Sequence, residues 1–220
     1  MAGINVIITG ATGMVGEGVL LECLQNEKVN KVLIVNRKHY DLEHSKLKEL
    51  IVPDFLKLNE FGDSLKGYEA CFFCAGISSI GMKEDKYTQI TYDTTIAFAK
   101  AFLGNNPGSV FTYISGAHTD STEKGRVMWA RVKGRTENDL MKLPFKAVYH
   151  FRPGVIVPFD DQKNWKPLFR WLAKAVKAVA PKSALAVQQI GRAMINATLS
   201  GYPAHVLEIK DIRKLAATTA

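Results

Sequence analysis

The residues whose types and spacing could do chemistry begin near the N-terminus, where Gly10, Gly13 and Gly16 recur at every third position of Gly10-Ala11-Thr12-Gly13-Met14-Val15-Gly16. Placed after an apolar, β-branched run and before helical apolar spacing, such a triad suits the cradling of a diphosphate. Gly10 permits a tight turn, Gly13 lets backbone N–H groups approach phosphate oxygens, and Gly16 lets a helix pack closely on its strand. The positive end of the helix dipole then faces the anion. An ordinary strand-to-helix turn is the plainer alternative. A second set, Asn36-Arg37-Lys38, closes the next apolar run. In dinucleotide folds this place faces the adenosine ribose, where an acid accepts from the 2′-hydroxyl of NAD and a basic residue pairs with the 2′-phosphate of NADP. No acid stands here, and arginine can bind phosphate through two charge-assisted bonds. NADP(H) is therefore favoured, with NAD(H) as the alternative. A merely basic loop after a strand explains Lys38 more comfortably than Arg37.

Two further stretches belong to the same expected site. Asp54-Phe55 follows a third apolar run, where Asp54 could accept from the adenine amino group or simply cap the next helix. Cys74-Ala75-Gly76 closes a fourth run, and small residues at a strand's carboxyl end are expected where a cofactor lies against the backbone. Cys71 and Cys74 also form a C-x-x-C spacing, which invites a redox or zinc reading. Residues three apart in a strand point to opposite faces, so the two sulfurs should not meet, and both read as buried apolar side chains. No metal is expected.

The elements that must position these residues alternate. Strands are expected at Asn5–Thr9, Lys31–Asn36, 49–53, Ala70–Cys74, Val110–Ser115, Ala147–Arg152 and Val206–Ile209. Helices are expected at Met14–Gln25, Asp41–Leu50, Glu84–Leu103, Lys124–Met141 and Val187–Ser200. The repeating strand–helix order argues an α/β fold, a doubly wound parallel sheet with helices on both faces and ligands at the strands' carboxyl ends. A core over residues 1–158 is followed by a small C-terminal helical region over 159–220. There Leu168, Leu172, Val176 and Val179 recur at helical spacing with Arg170, Lys174 and Lys177 on another side. A basic amphipathic helix over 165–179 could meet a protein partner or an anionic surface, or cover a substrate pocket.

With 220 residues, 47% of them hydrophobic, the chain can bury one substantial core and reads as a single domain. Three cysteines and no leader pattern point to a reducing, cytoplasmic location. No apolar run reaches the roughly 18 residues of a spanning helix. The net charge of +8 suits an anionic ligand. No helix-turn-helix, zinc finger or basic-aromatic motif accompanies it, so direct nucleic-acid binding is not expected.

Together, Gly10–Gly16, the Cys74-Ala75-Gly76 strand end, Arg131-Val132-Lys133-Gly134-Arg135-Thr136-Glu137 and Phe151-Arg152-Pro153-Gly154 resemble the atypical short-chain dehydrogenase/reductase superfamily, with its NAD(P)-binding Rossmann fold. They are closest to the Tat-interacting tumour-suppressor oxidoreductase group and its NmrA-like relatives. The likeness covers Ile4 to Pro158. It implies that Lys133 holds the nicotinamide ribose, that Ser115 orients the substrate oxygen, and that Arg152, Pro153, Gly154 and Val155 border the cofactor. The superfamily's general acid is a tyrosine four residues before the lysine, but here that position is Trp129, and an indole does not exchange a proton near neutral pH. The family's serine-to-tyrosine spacing, counted back from Trp129, lands on Gly116, so Ser115 is uncertain too. His118, Thr119, Ser121, Tyr113 and His150 are the possible replacements. The first expectation is an oxidoreductase on a small carbonyl substrate with a non-standard proton donor. The second is a non-catalytic NADP(H) sensor. An isomerase, dehydratase or flavin-linked reductase is a third class compatible with the same fold.

Overall fold

The computed structural model describes residues 3–158, 162–164 and 183–218. Its centre is a seven-stranded sheet in the order β3-β2-β1-β4-β5-β6-β9, every pair parallel. The strands are β1 (Ile4–Thr9), β2 (Val29–Asn36), β3 (Leu47–Ile51), β4 (Ala70–Phe73), β5 (Val110–Ile114), β6 (Ala147–Arg152) and β9 (Val206–Glu208). Strands β7 (Val155–Val157) and β8 (Ala184–Ala186) form a separate parallel pair beyond β6. The chain order reverses between β1 and β4, and in doubly wound sheets the ligand crevice opens at that reversal.

Alternation along the strands sends each face into its own core. Val6 and Ile8 of β1 pack with Val19, Leu20 and Cys23 of helix α1 (Met14–Gln25), and with Ile190 and Met194 of α5 (Val187–Ser200). Ile7, Cys71, Phe73, Phe111 and Tyr113 face the other way, onto Phe98 and Phe102 of α3 (Thr94–Asn105) and Leu140 of α4 (Met128–Leu140). Phe73 sits 5.4 Å from the Phe98 ring and 5.9 Å from Phe111; such pairs are worth about 1 kcal/mol each beyond their buried area. Helix α1 and α5 touch through glycines, since a Cβ on Gly18 would stand 2.3 Å from Val187 Cγ2. Arg192 Nε donates to Glu22 Oε1 across the same seam at 2.8 Å.

Several expected elements differ. The helix expected over Asp41–Leu50 is a loop followed by β3, which starts two residues before the expected strand and pairs with Val32–Asn36. Lys, Glu and Leu favour a helix locally, but the open edge of β2 offers hydrogen bonds that override propensity. The long helix after β4 is broken into α2 (Glu84–Thr88), a π-helical turn (Gln89–Asp93) and α3. Helix α4 begins at Met128 rather than near Lys124, because residues 120–125 are folded back by Asp120, whose carboxylate accepts from Thr122 N and Gly125 N. A 3₁₀ stretch (Phe55–Leu65) and helix α6 (Ile209–Ala217) were not foreseen. The basic amphipathic stretch 165–179 lies outside the described residues.

Candidate functional site

The glycine turn behaves differently at each of its three positions. Gly10 has φ 71°, and a Cβ there would stand 2.7 Å from Ala75 N, where β4 exits alongside. Thr9 Oγ1 accepts from Cys74 N at 3.2 Å and Ala75 N at 3.1 Å, fixing that approach. Gly13 N donates to Gly10 O at 2.9 Å and closes the turn. A Cβ on Gly16 would meet Gly10 O at 2.1 Å, so α1 packs directly on the turn. Gly13 is unlike both: its Cβ would find only Gly10 O, at an ordinary 3.4 Å. At Gly76 a Cβ would find nothing within 4 Å. No protein atom calls for glycine at these two places, and both border the same cavity. Gly13 also caps α1 without any side-chain hydrogen bond, so the first-turn N–H groups of Met14, Val15 and Gly16 carry no side-chain cap.

The cavity measures about 800 Å³ and crosses the carboxyl ends of β1, β2 and β4. It gathers Gly10, Thr12, Gly13, Asn36, Arg37, Lys38, Asp54, Phe55, Cys74, Ala75 and Gly76, all anticipated from sequence. Asp54 caps the 3₁₀ stretch that follows it, its Oδ1 accepting from Leu56 N at 3.0 Å, and it also lines the cavity. Phe55 is buried against Phe98, with ring centres 5.3 Å apart. Gln89, Ile90 and Thr94 supply a wall that no motif announced. Gln89 and Ile90 come from the π-helical turn, a form that recurs at functional sites, and Thr94 opens α3 directly after it.

At the end of β2 the picture gains a residue. Asn36 is buried, its Nδ2 donating to Glu49 Oε1 at 3.3 Å while its Oδ1 has no partner. Tyr40 N donates to the same Glu49 oxygen at 2.9 Å, and His39 Nδ1 meets Glu49 Oε2. Tyr40 Oη donates to the buried carboxylate of Glu17 at 2.9 Å, and that bond and burial together push its phenol well above the ordinary range. The loop is thus pinned at its far end, with Arg37 and Lys38 exposed on the cavity rim. β3 therefore supplies the acid that is missing from the Asn36-Arg37-Lys38 stretch, set behind Asn36.

A dinucleotide fits these residues. Open backbone at Gly13 and Gly76 leaves room for phosphate, the start of α1 offers N–H donors, and the unpartnered Asn36 Oδ1 offers an acceptor to a ribose hydroxyl.

The other end of the expected site is arranged less simply. Lys133 and Trp129 stand one turn apart on α4 and share a face. Lys133 Nζ donates to Ile114 O at 3.2 Å and lies 5.8 Å from the Tyr113 ring centre. Burial lowers its pKa to about 8, while the Glu137 carboxylate pulls the other way. The neighbouring Gly134 is needed by packing, since a Cβ there would fall 1.8 Å from Asp120 O. Ser115 is buried and its hydroxyl donates to Phe151 O at 3.2 Å, joining the ends of β5 and β6. His118 is exposed with φ 65°, Thr119 Oγ1 donates to Gly116 O, and Ser121 Oγ accepts from Arg152 Nη2. Tyr113 Oη and both ring nitrogens of His150 are buried without a hydrogen-bond partner, the two rings meet edge-on at 6.4 Å, and burial lowers the His150 pKa to about 4.

Arg152 is not on the cavity wall. Its Nε donates to Glu137 Oε1 at 3.0 Å, so it ties β6 to α4 and to the Ser121 loop. Pro153, Gly154 and Val155 are likewise absent from the wall. Pro153 O accepts from Ala117 N, and Gly154 passes against Ser183 O and Ile209. The charged guanidinium found a buried carboxylate that the resemblance did not reveal.

Cys71 and Cys74 lie in opposite cores, as strand alternation requires, and burial pushes the Cys74 thiol up to about 12. No group of three or more metal-ligating side chains occurs among the described residues. No helix among them is long and apolar enough to cross a membrane.

Parallel strands in this order, with an uncapped glycine turn at the reversal, define a dinucleotide-binding α/β protein of the short-chain dehydrogenase/reductase type. The chain belongs to the NAD dependent epimerase/dehydratase family, whose sequence profile matches residues 6–122. Protein HTATIP2 of Rattus norvegicus is 28% identical over 204 residues, 89% of this chain and 81% of that one. Protein fmp52, mitochondrial, of Emericella nidulans is 27% identical over 208 residues, 89% of this chain and 87% of that one. Among solved structures, WbmF of Bordetella bronchiseptica in complex with NAD+ shares the fold at a TM-score of 0.69 and 16% identity, over 98% of this chain and 77% of that one. The expected cytoplasmic location does not stand. The similar FMP52 proteins of Emericella nidulans and Scheffersomyces stipitis carry mitochondrial names, and cysteine count cannot separate two reducing compartments.

Proposed function

We propose that the protein is an NADP(H)-dependent oxidoreductase acting on a small carbonyl compound, with Lys133 as both ribose anchor and proton donor. The observation that carries the reading is Lys133 Nζ, a largely buried amine on α4 that reaches the end of β5 and donates its one hydrogen bond to Ile114 O. Bound nicotinamide supplies the hydride. Arg37 and Lys38, on the rim beside Asn36, pair with a 2′-phosphate. N–H groups at the start of α1 hold the diphosphate. Trp129 cannot donate the proton that the carbonyl oxygen needs. An ammonium held near pKa 8 by burial exchanges protons close to neutral pH, which suits general acid work. The Ser115 hydroxyl keeps Phe151 O in place, and His118 is the second candidate for the proton.

Substrate-dependent NADPH oxidation across a panel of aldehydes and ketones tests the reading. Turnover that is lost in Lys133→Met and kept in His118→Ala supports it. The reverse pattern moves the proton to His118. Tight NADPH binding with no turnover on any substrate favours a cofactor sensor, a reading to which Trp129 and the committed Ser115 hydroxyl also lend support. A sensor requires partner affinity that changes with the bound nucleotide.

A further inference from the structure

We propose that Glu49 is a positioning residue for cofactor selectivity, holding Asn36 so that the site accepts the unphosphorylated ribose of NAD(H) against the pull of Arg37 and Lys38 toward NADP(H). The inference rests on the dinucleotide reading above. Its basis is the amide of Asn36. A carboxylate only accepts hydrogen bonds, so the amide must turn Nδ2 toward Glu49 Oε1, as it does at 3.3 Å. That choice leaves Oδ1 as an acceptor, buried, without a donor, on a residue of the cavity wall. A ribose hydroxyl supplies the donor that Oδ1 lacks. A 2′-phosphate does not, because it too accepts.

Glu49 also acts through charge. Its Oε1 is shared by Asn36 Nδ2 and Tyr40 N, and Oε2 meets His39 Nδ1 on the outer side. The side chain of Glu49 is 18% exposed, whereas that of His39 is 73% exposed, so a negative charge sits behind the ribose place under little solvent screening. It opposes a second anion there. Arg37 and Lys38 stand exposed at the rim and favour that anion. The site balances the two influences, and Glu49 decides how far it leans to NAD(H).

The test is calorimetric titration of 5′-AMP and 2′,5′-ADP into wild type, Glu49→Gln and Glu49→Ala, with thermal melts as a control for folding. Gln keeps an acceptor for Asn36 and Tyr40 but removes the charge; it should tighten 2′,5′-ADP about threefold and leave 5′-AMP nearly unchanged. Ala also frees the Asn36 amide to turn Nδ2 outward; it should weaken 5′-AMP about tenfold without weakening 2′,5′-ADP. Equal weakening of both ligands in either variant would mean that Glu49 only braces the loop, and the proposal would be overturned. An unchanged ratio in Glu49→Gln overturns it even where Glu49→Ala does not fold. Wild type that binds neither nucleotide refutes the dinucleotide reading itself and removes the proposal with it.

Discussion

Replacing Gly13 and Gly16 by alanine, one at a time, separates what the glycine turn does for a ligand from what it does for the fold. At Gly13 the backbone is extended, with φ −108° and ψ 163°, a conformation alanine adopts freely. The added methyl meets only Gly10 O, at 3.4 Å. Exchanging glycine for alanine at a helix N-cap costs less than about 1 kcal/mol, so Gly13→Ala should unfold within that margin of wild type. The methyl nevertheless takes up space at a residue that lines the cavity in which the diphosphate is proposed to lie. Losing one hydrogen bond to a charged oxygen, at about 1.5–3 kcal/mol, weakens NADPH binding by roughly 10- to 150-fold. At Gly16 the order reverses. Its Cβ would lie 2.1 Å from Gly10 O and 2.5 Å from Gly10 C, both backbone atoms that move only with the strand. That overpacking should cost about 3 kcal/mol. Urea unfolding and NADPH fluorescence titration of both variants read the two effects. If Gly13→Ala binds NADPH as tightly as wild type, the methyl is not in the phosphate's way and the reasoning fails. If Gly16→Ala is as stable as wild type, the close packing of α1 on its strand is wrong.

Two further variants probe buried titratable groups. Lys133 has its pKa lowered from 10.5 to about 8 by burial, so the unfolded chain binds its proton more tightly. The resulting cost is full below pH 8, about 3 kcal/mol, and fades as pH rises to about 10.5. Lys133→Met in the cofactor-free protein should therefore gain stability at pH 7, by a margin that shrinks by about 1 kcal/mol at pH 9; an equal margin at both pH values contradicts the sign. His150 is buried with both ring nitrogens unpaired, and burial lowers its pKa from 6.5 to about 4. A depressed pKa means stability present above pH 6.5 and lost as pH falls toward 4. His150→Leu should stabilise the fold by about 1–2 kcal/mol at pH 7, and its advantage in urea unfolding should widen by about 2 kcal/mol at pH 5. A variant that loses stability with acid as wild type does would clear His150 of the effect.

What the chain revealed in advance was whatever depends on neighbours in sequence. The glycine triad, the apolar strand runs and the alternation of strand and helix are local, and they located the glycine turn, the parallel doubly wound sheet and most of the residues that line the cavity. What stayed hidden depends on partners distant in sequence. Leu47–Ile51 became a strand because β2 had an open edge. The same pairing carried Glu49 to Asn36, so an acid reached the ribose end from a neighbouring strand instead of the expected one. Gln89 and Ile90 of a π-helical turn, and Thr94 just after it, line the cavity with no glycine or proline to mark the turn. Arg152 looked available until α4 brought Glu137 to it. The Lys133–Gly134 step, by contrast, was visible as a motif, but its second residue proved to be demanded by the Asp120 carbonyl rather than by a ligand.

In the proposed complex a nicotinamide dinucleotide lies across β1 and β2 with its adenosine 2′-phosphate at Arg37. The most direct measurement is fluorescence titration of NADPH and NADH into wild type and Arg37→Asp. Arg37 lies exposed on the rim, so its replacement should leave the melting temperature unchanged. Losing a charge-assisted pair and gaining a like charge should weaken NADPH about 100-fold while NADH changes by less than about threefold. No binding of either nucleotide to wild type, or the same NADPH-to-NADH preference in both proteins, would contradict the account.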